Sequence, residues 1–273
     1  MTSIAAEVVA RRNTAGPRIS IVIPAMNEAL NLGVVLPRLP QVHEVIVVDG
    51  GSVDGTVEAA RRARPGVIAV AQVRRGKGNA LATGFARATG DVVVMFDADG
   101  SADPREVTRF VETLTQGADF AKGSRRVAGG AAADLTAGRR IGDRLIGSLF
   151  NAAFGTRYSD LRYGFNAFWA DLLPLLDLPD PTLPEPRSGE MVWGDGFEIE
   201  TLISCRIAAA GVTVTEVPSV EKTRLFGESH LRSVTDALRV LRTLRVEHRR
   251  ARAVRRLDKE LARSREKLRV RSA

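Results

Sequence analysis

The sequence predicts an α/β protein built on a mostly parallel, doubly wound sheet flanked by helices. Between residues 18 and 122, short β-branched and aliphatic runs alternate with segments of helical periodicity, the pattern of consecutive βα units. The chain has 273 residues, of which 44% are hydrophobic, and this is enough for one large domain with a sizeable core. Cys205 is the only cysteine, so an intramolecular disulfide is excluded and a reducing compartment is expected.

The first half of the chain contains five predicted strands and four predicted helices. Each strand is a short apolar run, and the first of them ends in Pro24. The helix that follows the second strand stops at Pro65-Gly66, and the one that follows the fourth strand starts at Asp103-Pro104, which has the pattern of an N-cap with proline in the first turn. The predicted strands are residues 18–24, 43–49, 67–72, 91–97 and 118–122, and the predicted helices are residues 28–38, 53–64, 77–88 and 103–116.

The pattern changes after residue 123. Residues 124–138 are rich in Gly and Ala and predict a mobile loop, and residues 171–189 contain five prolines and predict an irregular surface excursion. Between and after them we expect helices at 139–154 and 196–210, an antiparallel strand at 161–169, a strand at 212–218, and one long helix or two from 231 onward. The expected organisation is a flexible N-terminus (1–17), a domain (18–230) with halves 18–123 and 124–230, and a basic helical tail (231–273).

The net charge of +8 is concentrated in the tail. Residues 231–273 contain 15 Arg and Lys against 5 Asp and Glu, a net charge of +10, which leaves −2 for the rest of the chain. Apolar residues recur among these arginines at roughly helical spacing: Leu238, Leu241, Leu244, Val254, Leu257 and Leu261. A basic amphipathic helix of this kind binds anionic membrane surfaces, and a solvated helix or a homodimer contact is the alternative. Nucleic-acid binding is not expected of the main domain.

Acidic residues follow three of the predicted strands. Asn27-Glu28 follow the first strand. Residues 49–54 begin at the last residue of the second strand, and Asp97-Ala98-Asp99 begins at the last residue of the fourth. In doubly wound sheets, ligands bind at the carboxyl ends of the strands, so these groups should meet in one crevice. Crowded carboxylates repel unless a cation joins them, and oxygen ligands favour Mg²⁺ or Mn²⁺. The sequence therefore predicts a nucleoside diphosphate held through a metal; the alternative for an isolated acidic pair is a turn or helix cap, as we assign Asp103.

Four motifs resemble those of family 2 glycosyltransferases with the Rossmann-like GT-A fold, and most closely the dolichol-phosphate mannosyltransferase and polyprenyl-phosphate glycosyltransferase group. The motifs are Ile21-Val-Ile-Pro-Ala-Met-Asn-Glu28, Val47-Val-Asp-Gly-Gly-Ser-Val-Asp-Gly-Thr56, Gly76-Lys-Gly-Asn-Ala80 and Phe96-Asp-Ala-Asp99. The resemblance covers about residues 18–230. It implies an inverting transfer of a hexose from a nucleotide sugar, of the GDP-mannose or UDP-glucose type, to a polyprenyl phosphate.

The resemblance also implies roles for individual residues. Asp99 is the implied principal metal ligand, Asp97 is shared between metal and ribose, and Ser101 stands where related enzymes often have a Gln. Lys77, at the start of a helix, is implied to approach the donor, and the amides there would suit a diphosphate. The implied donor-binding residues are Pro24, Asn27, Glu28, Asp49, Ser52, Asp54, Lys77, Asp97 and Asp99.

The second half resembles the acceptor half of the same group. Arg125, Arg139 and Arg140 are implied ligands of the acceptor phosphate, and arginine presents a planar fork that suits phosphate oxygens. A phosphate acceptor is already an anion and needs no general base. For a hydroxyl acceptor on a glycan or small molecule, Asp195 or Glu198 would be the base. The alternative for these two acids is a structural role, because the N-terminus of a helix favours acidic side chains.

A segment from Arg224 to His230 resembles the group's mobile loop over the donor, with Arg224 neutralising the leaving diphosphate. No apolar run in the sequence approaches the ~18–20 residues that cross a bilayer, so we expect a cytoplasmic protein, or a peripheral one at the inner face of the cell membrane. Two other functions stay open: the same donor chemistry with a hydroxyl acceptor, and an inactive scaffold that binds anionic polymers through its tail.

Overall fold

A computed structural model describes residues 12–133, 137–187, 190–227 and 233–271 of the chain. Its strands are β1 (Ile19–Ala25), β2 (Glu44–Asp49), β3 (Ile68–Ala71), β4 (Val92–Met95), β5 (Phe120–Ser124), β6 (Ala131–Ala132), β7 (Asn166–Trp169), β8 (Val214–Pro218) and β9 (Val220–Glu221). Its α-helices are α1 (Ala29–Val35), α2 (Thr56–Ala63), α3 (Lys77–Arg87), α4 (Val107–Thr115), α5 (Ala137–Phe154), α6 (Leu173–Leu176), α7 (Ile199–Ala210) and α8 (Ser233–Arg271).

Seven of these strands form one sheet in the order β3-β2-β1-β4-β7-β5-β8. Strand β7 runs antiparallel to both of its neighbours, β4 and β5, and the remaining pairs are parallel. The predicted α/β class with a mostly parallel sheet is therefore confirmed. The antiparallel strand is shorter than predicted, because the residues before it turn: the Asn166 side-chain amide donates to the carbonyls of Tyr163 and Gly164 at 3.2 and 3.1 Å.

The core lies on both faces of this sheet. In β1, Ile21 and Ile23 pack on one face with helices α1, α2 and α4, while Val22 packs on the other face with α3, α6 and α7. All three side chains are fully buried. Burial on both faces explains why the strands read as continuous apolar runs rather than alternating ones.

The Gly- and Ala-rich segment after β5 contains an element that its composition does not predict. Strand β6 pairs in parallel with β9, and the Ala131 amide donates to the Ser219 carbonyl at 3.1 Å. The pairing depends on a segment that lies almost 90 residues further along the chain, so no local pattern reveals it. Residues 134–136 of the predicted loop lie outside the described part.

The chain from residue 233 forms one long helix, α8, of 39 residues. Val240, Leu244 and Ala251 are buried in a third cluster with Phe150 of α5 and Cys205 of α7. The basic helical extension predicted from the sequence is thus docked on the body through its first half. Among the helices in the described ranges, none combines the length and hydrophobicity that a membrane span requires.

The segment before β1 contacts the body at its described end. The Arg12 guanidinium donates to Asp171 at 2.6 and 2.8 Å and to Asp119 at 2.5 Å, and it lies 5.2 Å from the centre of the Trp169 ring. Residues 1–11 of the predicted N-terminal segment lie outside the described part.

Candidate active site

A pocket of about 390 Å³ lies at the carboxyl ends of β1, β2 and β4. This is the edge of the sheet where the sequence predicts that the acidic turns converge. Eight of the predicted site residues line this pocket: Pro24, Glu28, Lys77, Asp97, Asp99, Ser101, Arg125 and Arg224.

The Asp97-Ala98-Asp99 turn continues directly from β4. Ala98 is buried, while the Asp97 and Asp99 side chains are 34% and 26% exposed toward the pocket. One Asp99 oxygen accepts the Ser101 amide at 2.9 Å, which orients the carboxylate. Gly100 adopts a φ of +75°, and a Cβ there would lie 2.5 Å from the Leu225 side chain, so this turn favours glycine.

Lys77 neutralises the acids on one side of this turn. Its ammonium lies 2.7 Å from Asp97 Oδ1 and 2.7 Å from Glu200 Oε1. Burial alone lowers the pKa of Lys77, but the attraction of the two carboxylates outweighs it and raises the pKa above its ordinary value. The ammonium therefore stays charged and holds Asp97 and Glu200 together at the pocket wall.

The glycines on both sides of Lys77 allow a close backbone contact. The Gly78 and Asn79 amides donate to the Asp195 carbonyl at 2.7 and 3.3 Å, and a Cβ on Gly78 would lie 1.8 Å from the Gly194 oxygen. The structure differs here from the expectation that these amides suit a diphosphate, because a backbone oxygen already accepts them. The contact instead fixes the position from which Lys77 reaches the acids.

We expect Gly78→Ala to lower the free energy of unfolding by about 3 kcal/mol, because backbone must move to admit the new methyl group. Transfer activity should fall as well, since Lys77 moves with the turn. Gly147→Ala is the matched control: it lies in α5 with nothing within 4 Å of the added Cβ and should be neutral or stabilising by up to about 1 kcal/mol. Urea unfolding measures both variants, and equal midpoints would contradict the close contact.

The acidic turns after β1 and β2 hold each other in place. The Asn27 amide donates to Ser52 Oγ at 2.8 Å, and Asn27 Oδ1 accepts the Val53 amide at 2.9 Å. Asp49 accepts the Ser52 amide, and Asp54 accepts the Ala29 amide at 3.0 Å. None of Asn27, Asp49, Ser52 and Asp54 lines the pocket, so their donor-binding roles stay predictions. The structure shows them shaping the two turns.

The segment from Lys222 to Gly227 lies across the Asp99 turn. The Lys222 and Leu225 amides donate to the Ser101 and Asp99 carbonyls at 2.7 and 3.1 Å. Within this segment, Arg224 donates to Glu28 at 2.5 Å and lies 3.8 Å from Asp99. Arg224, which is predicted to neutralise a leaving diphosphate, thus lies beside the carboxylates of Glu28 and Asp99. Residues 228–230, including His230, lie outside the described part.

Asp195 and Glu198, the predicted alternatives for a general base, do not line the pocket. The Asp195 carboxylate is fully buried and pairs with Arg74 at 2.6 and 3.0 Å. Glu198 precedes α7 and accepts the Gly194 and Gly196 amides at 3.0 and 3.3 Å. Both carboxylates stabilise the turn before α7 in this geometry, and Glu200 faces the pocket instead.

Arg125, the first predicted acceptor ligand, lines the pocket with its hydrogen-bonding capacity largely used. It donates to Asp160 at 2.6 and 2.9 Å and to Glu221 at 2.8 Å, and it lies 5.1 Å from the Tyr163 ring centre. Arg140 is exposed on α5 and does not line the pocket. The Arg139 side chain lies outside the described part.

Arg162 and Glu200 are pocket residues that the sequence analysis missed. Arg162 stands just before β7, and an antiparallel strand brings its amino end, not its carboxyl end, to this edge of the sheet. The predicted antiparallel strand could therefore have indicated that Arg162 lies at the pocket. Glu200 is the last acid of the segment 194–200 and lies in the first turn of α7, which begins at Ile199, three residues later than predicted.

The side chains at this turn fit a divalent metal ion only if water or substrate phosphates supply the rest of its ligands. Within the described ranges, no group of three or more His, Cys, Asp or Glu side chains is arranged to hold a metal ion. Asp97 and Asp99 offer partly exposed carboxylate oxygens beside the Ser101 hydroxyl, an oxygen-only set of the kind that Mg²⁺ and Mn²⁺ accept. Such ions usually complete their coordination with water and substrate phosphates.

Comparison with known proteins identifies related sequences. A family model described as "Glycosyl transferase family 2" matches residues 20–169. An uncharacterized glycosyltransferase of Mycobacterium tuberculosis is 38% identical over 116 residues, which are 42% of this chain and 52% of that protein, so the match spans about half of its length. The polyprenol monophosphomannose synthase of Mycolicibacterium smegmatis is 30% identical over 226 residues, covering 78% of this chain and 81% of that protein.

Solved structures share the fold. Glucosyl-3-phosphoglycerate synthase from Mycobacterium tuberculosis, in complex with phosphoglyceric acid, superposes with a TM-score of 0.66 at 22% identity, covering 86% of this chain and 81% of that chain. The same enzyme has been solved with Mn²⁺, uridine diphosphate and phosphoglyceric acid. The predicted GT-A fold is confirmed by this likeness.

Proposed function

This chain belongs to glycosyl transferase family 2 and is a transferase enzyme, and we propose that it moves a hexose from a nucleotide-diphosphate sugar to a polyprenyl phosphate with inversion at the anomeric carbon. The carrying observation is the pocket that Asp97 and Asp99 of the donor half share with Arg125, Arg162 and Arg224 of the acceptor half. The polyprenyl acceptor is supported by the relative from Mycolicibacterium smegmatis, which covers most of both chains.

On the donor side, Asp99 and Asp97 would hold Mg²⁺ or Mn²⁺, with the Ser101 hydroxyl beside them. A divalent ion there would neutralise the diphosphate and so stabilise it as a leaving group. Arg224, 3.8 Å from Asp99, would add a second positive charge at the same point. Lys77 keeps Asp97 at the pocket wall, and the segment from Lys222 to Gly227 lies across the turn.

The cations beside the pocket acids favour an anionic acceptor. In the described part of the chain, each carboxylate that lines the pocket has a Lys or Arg nitrogen within 4 Å: Glu28, Asp97, Asp99, Asp143, Glu200 and Glu221. A carboxylate that acted as a base and took a proton from a hydroxyl acceptor would lose its negative charge, and with it the ion pair with the Lys or Arg. A phosphate acceptor attacks as an anion and requires no base, and Asp195 and Glu198 are engaged elsewhere.

The long helix α8 is proposed to bring the enzyme to an anionic membrane surface, where a polyprenyl phosphate resides. Val240 lines the pocket, and the neighbouring Leu238 and Leu241 are 64% and 41% exposed among arginines of the helix. Apolar and basic side chains on one helix suit the boundary between headgroups and acyl chains. A contact between two copies of α8 is the alternative use of the same side chains.

The function is tested by transfer of radiolabelled hexose to a short polyprenyl phosphate, with GDP-mannose and UDP-glucose as donors. We expect a product that partitions into organic solvent, requires Mn²⁺ or Mg²⁺, and disappears with EDTA. Presenting the acceptor in vesicles with anionic lipid should raise the rate over neutral vesicles, as α8 predicts. The proposed phosphate acceptor would be overturned if no GDP- or UDP-hexose gave a lipid product while hexose was transferred to a hydroxyl compound.

A further inference from the structure

Two arginines beside the pocket have buried nitrogen atoms without a hydrogen-bond acceptor. Arg162 Nε and Arg126 Nη2 are both inaccessible to solvent and unpaired. Both guanidinium groups face the same carboxylate, Asp143 of α5: Arg162 Nη2 donates to one oxygen, and Arg126 Nη2 lies 3.9 Å from the other, too far for a hydrogen bond. Arg162 and Asp143 line the pocket.

An unpaired buried donor is uncommon and destabilising, and more so when the group is charged. Two such donors around one carboxylate mean that this cluster is short of acceptor oxygens. The shortage is also one of charge, because two guanidinium groups face a single carboxylate. A negatively charged group with several oxygen atoms would satisfy both deficits.

We propose that Arg126 and Arg162 form the subsite that binds the phosphate group of the acceptor, a phosphate monoester dianion, and that Asp143 occupies part of this subsite in its absence. Three phosphate oxygens can accept from the unpaired Arg162 Nε and Arg126 Nη2 and still contact the remaining nitrogens. The inference rests on the proposed function and deepens it, because it names the residues that receive the acceptor.

Arg125 has a different role in this arrangement. Its guanidinium is held by Asp160 and Glu221 and packs on Tyr163, and its side chain is only 7% exposed. Arg125 is therefore a positioning residue: it fixes the turn after β5 from which Arg126 extends. Neither Arg162 nor Arg126 lies on α5, where the sequence placed Arg139 and Arg140.

The proposal is tested by steady-state kinetics with geranyl phosphate as the acceptor. In Arg162→Gln, the acceptor KM should rise about tenfold or more through loss of a charge-assisted hydrogen bond, with the donor KM unchanged. Arg162→Lys keeps the positive charge but lacks the planar guanidinium group, so its acceptor KM should lie between those of the wild type and Arg162→Gln. Arg144→Gln, exposed on α5, is the matched control and should leave both KM values unchanged.

Binding without turnover separates this proposal from the proposed function. Equilibrium dialysis with labelled geranyl phosphate should show weaker binding to Arg162→Gln even if no nucleotide sugar is ever transferred. Competition by 3-phosphoglycerate measures whether a soluble phosphate monoester enters the same subsite; competition only by prenyl phosphates assigns the subsite to lipids. Both results support the site. Unchanged geranyl phosphate binding in Arg162→Gln, with a thermal midpoint equal to the wild type, would overturn it, and so would a raised KM in Arg140→Gln alone.

Discussion

Asp99→Asn is expected to lower the rate of hexose transfer about a hundredfold or more. The substitution keeps the size of the side chain but removes the charge with which Asp99 would bind a divalent ion, and such an ion supplies several kcal/mol of stabilisation to a departing diphosphate. The fold should be preserved, because the side chain is partly exposed and the oxygen that accepts the Ser101 amide remains.

The measurement that isolates this effect is calorimetric binding of a nucleoside diphosphate with and without Mn²⁺. We expect the wild type to bind more tightly with Mn²⁺ and the Asp99→Asn variant to lose that gain. A chain that served only as a scaffold would show no metal-dependent binding even as wild type. Metal-dependent binding that survives in the variant would remove Asp99 from the metal site.

Asp103→Asn is the matched control for Asp99→Asn. Asp103 lies four residues further along the same loop, accepts the Arg105 amide at 3.1 Å as the cap of a short helix, and does not line the pocket that holds Asp99. The neighbouring Arg105 guanidinium lowers the pKa of its carboxyl, although burial opposes this. We expect this variant to keep its activity and to lose about 1 kcal/mol of stability or less.

Arg74→Met is expected to cost about 3–5 kcal/mol of the free energy of unfolding, because it leaves the Asp195 carboxylate buried without a cation. The two side chains are 2% and 1% exposed. Arg74 also donates to the carbonyls of Asp180 and Leu183 at 2.8 and 2.7 Å, so the variant releases the proline-rich segment as well. Chemical denaturation measures the loss.

The adjacent residue provides the control for Arg74→Met. Arg75 pairs with Glu185 at 3.0 Å, but the two side chains are 74% and 43% exposed, so Arg75→Gln should cost less than about 1 kcal/mol. Adding Asp195→Asn to Arg74→Met removes the uncompensated charge and should recover part of the loss. Equal stability of Arg74→Met and Arg75→Gln would show that Asp195 is hydrated in solution rather than buried.

Most of the first half of the fold follows from local pattern. The apolar runs of β1, β2 and β4 are recognisable because burial on both faces makes their central residues consecutively apolar, Ile21 to Ile23 in β1 and Val45 to Val48 in β2. The short pairing of β6 with β9 could not be predicted, since each strand has two residues and its partner is distant in the sequence. Helix starts were the other source of error, as the late start of α7 shows.

For the pocket, the acidic side chains at the strand ends were predictable and the partners of the arginine side chains were not. Asp97 and Asp99 stand at a strand end, and parallel topology alone brings strand ends to one edge of the sheet. On the acceptor side, Arg125 reads as a phosphate ligand in the sequence but is held by carboxylates from two distant segments, Asp160 and Glu221. Nothing near Arg125 in the sequence indicates those partners.

The sequence by itself determined the α/β class, the strand ends that carry Asp97 and Asp99, and the basic character of the tail, because each depends on residues adjacent along the chain. Only the tertiary structure decided which charged side chains face the pocket. Glu200 faces it and Glu198 does not, and Arg162 joins Asp143 there while Arg140 points to solvent. The physical reason is that a charged side chain points toward the partner that neutralises it, and here those partners come from segments far apart in sequence.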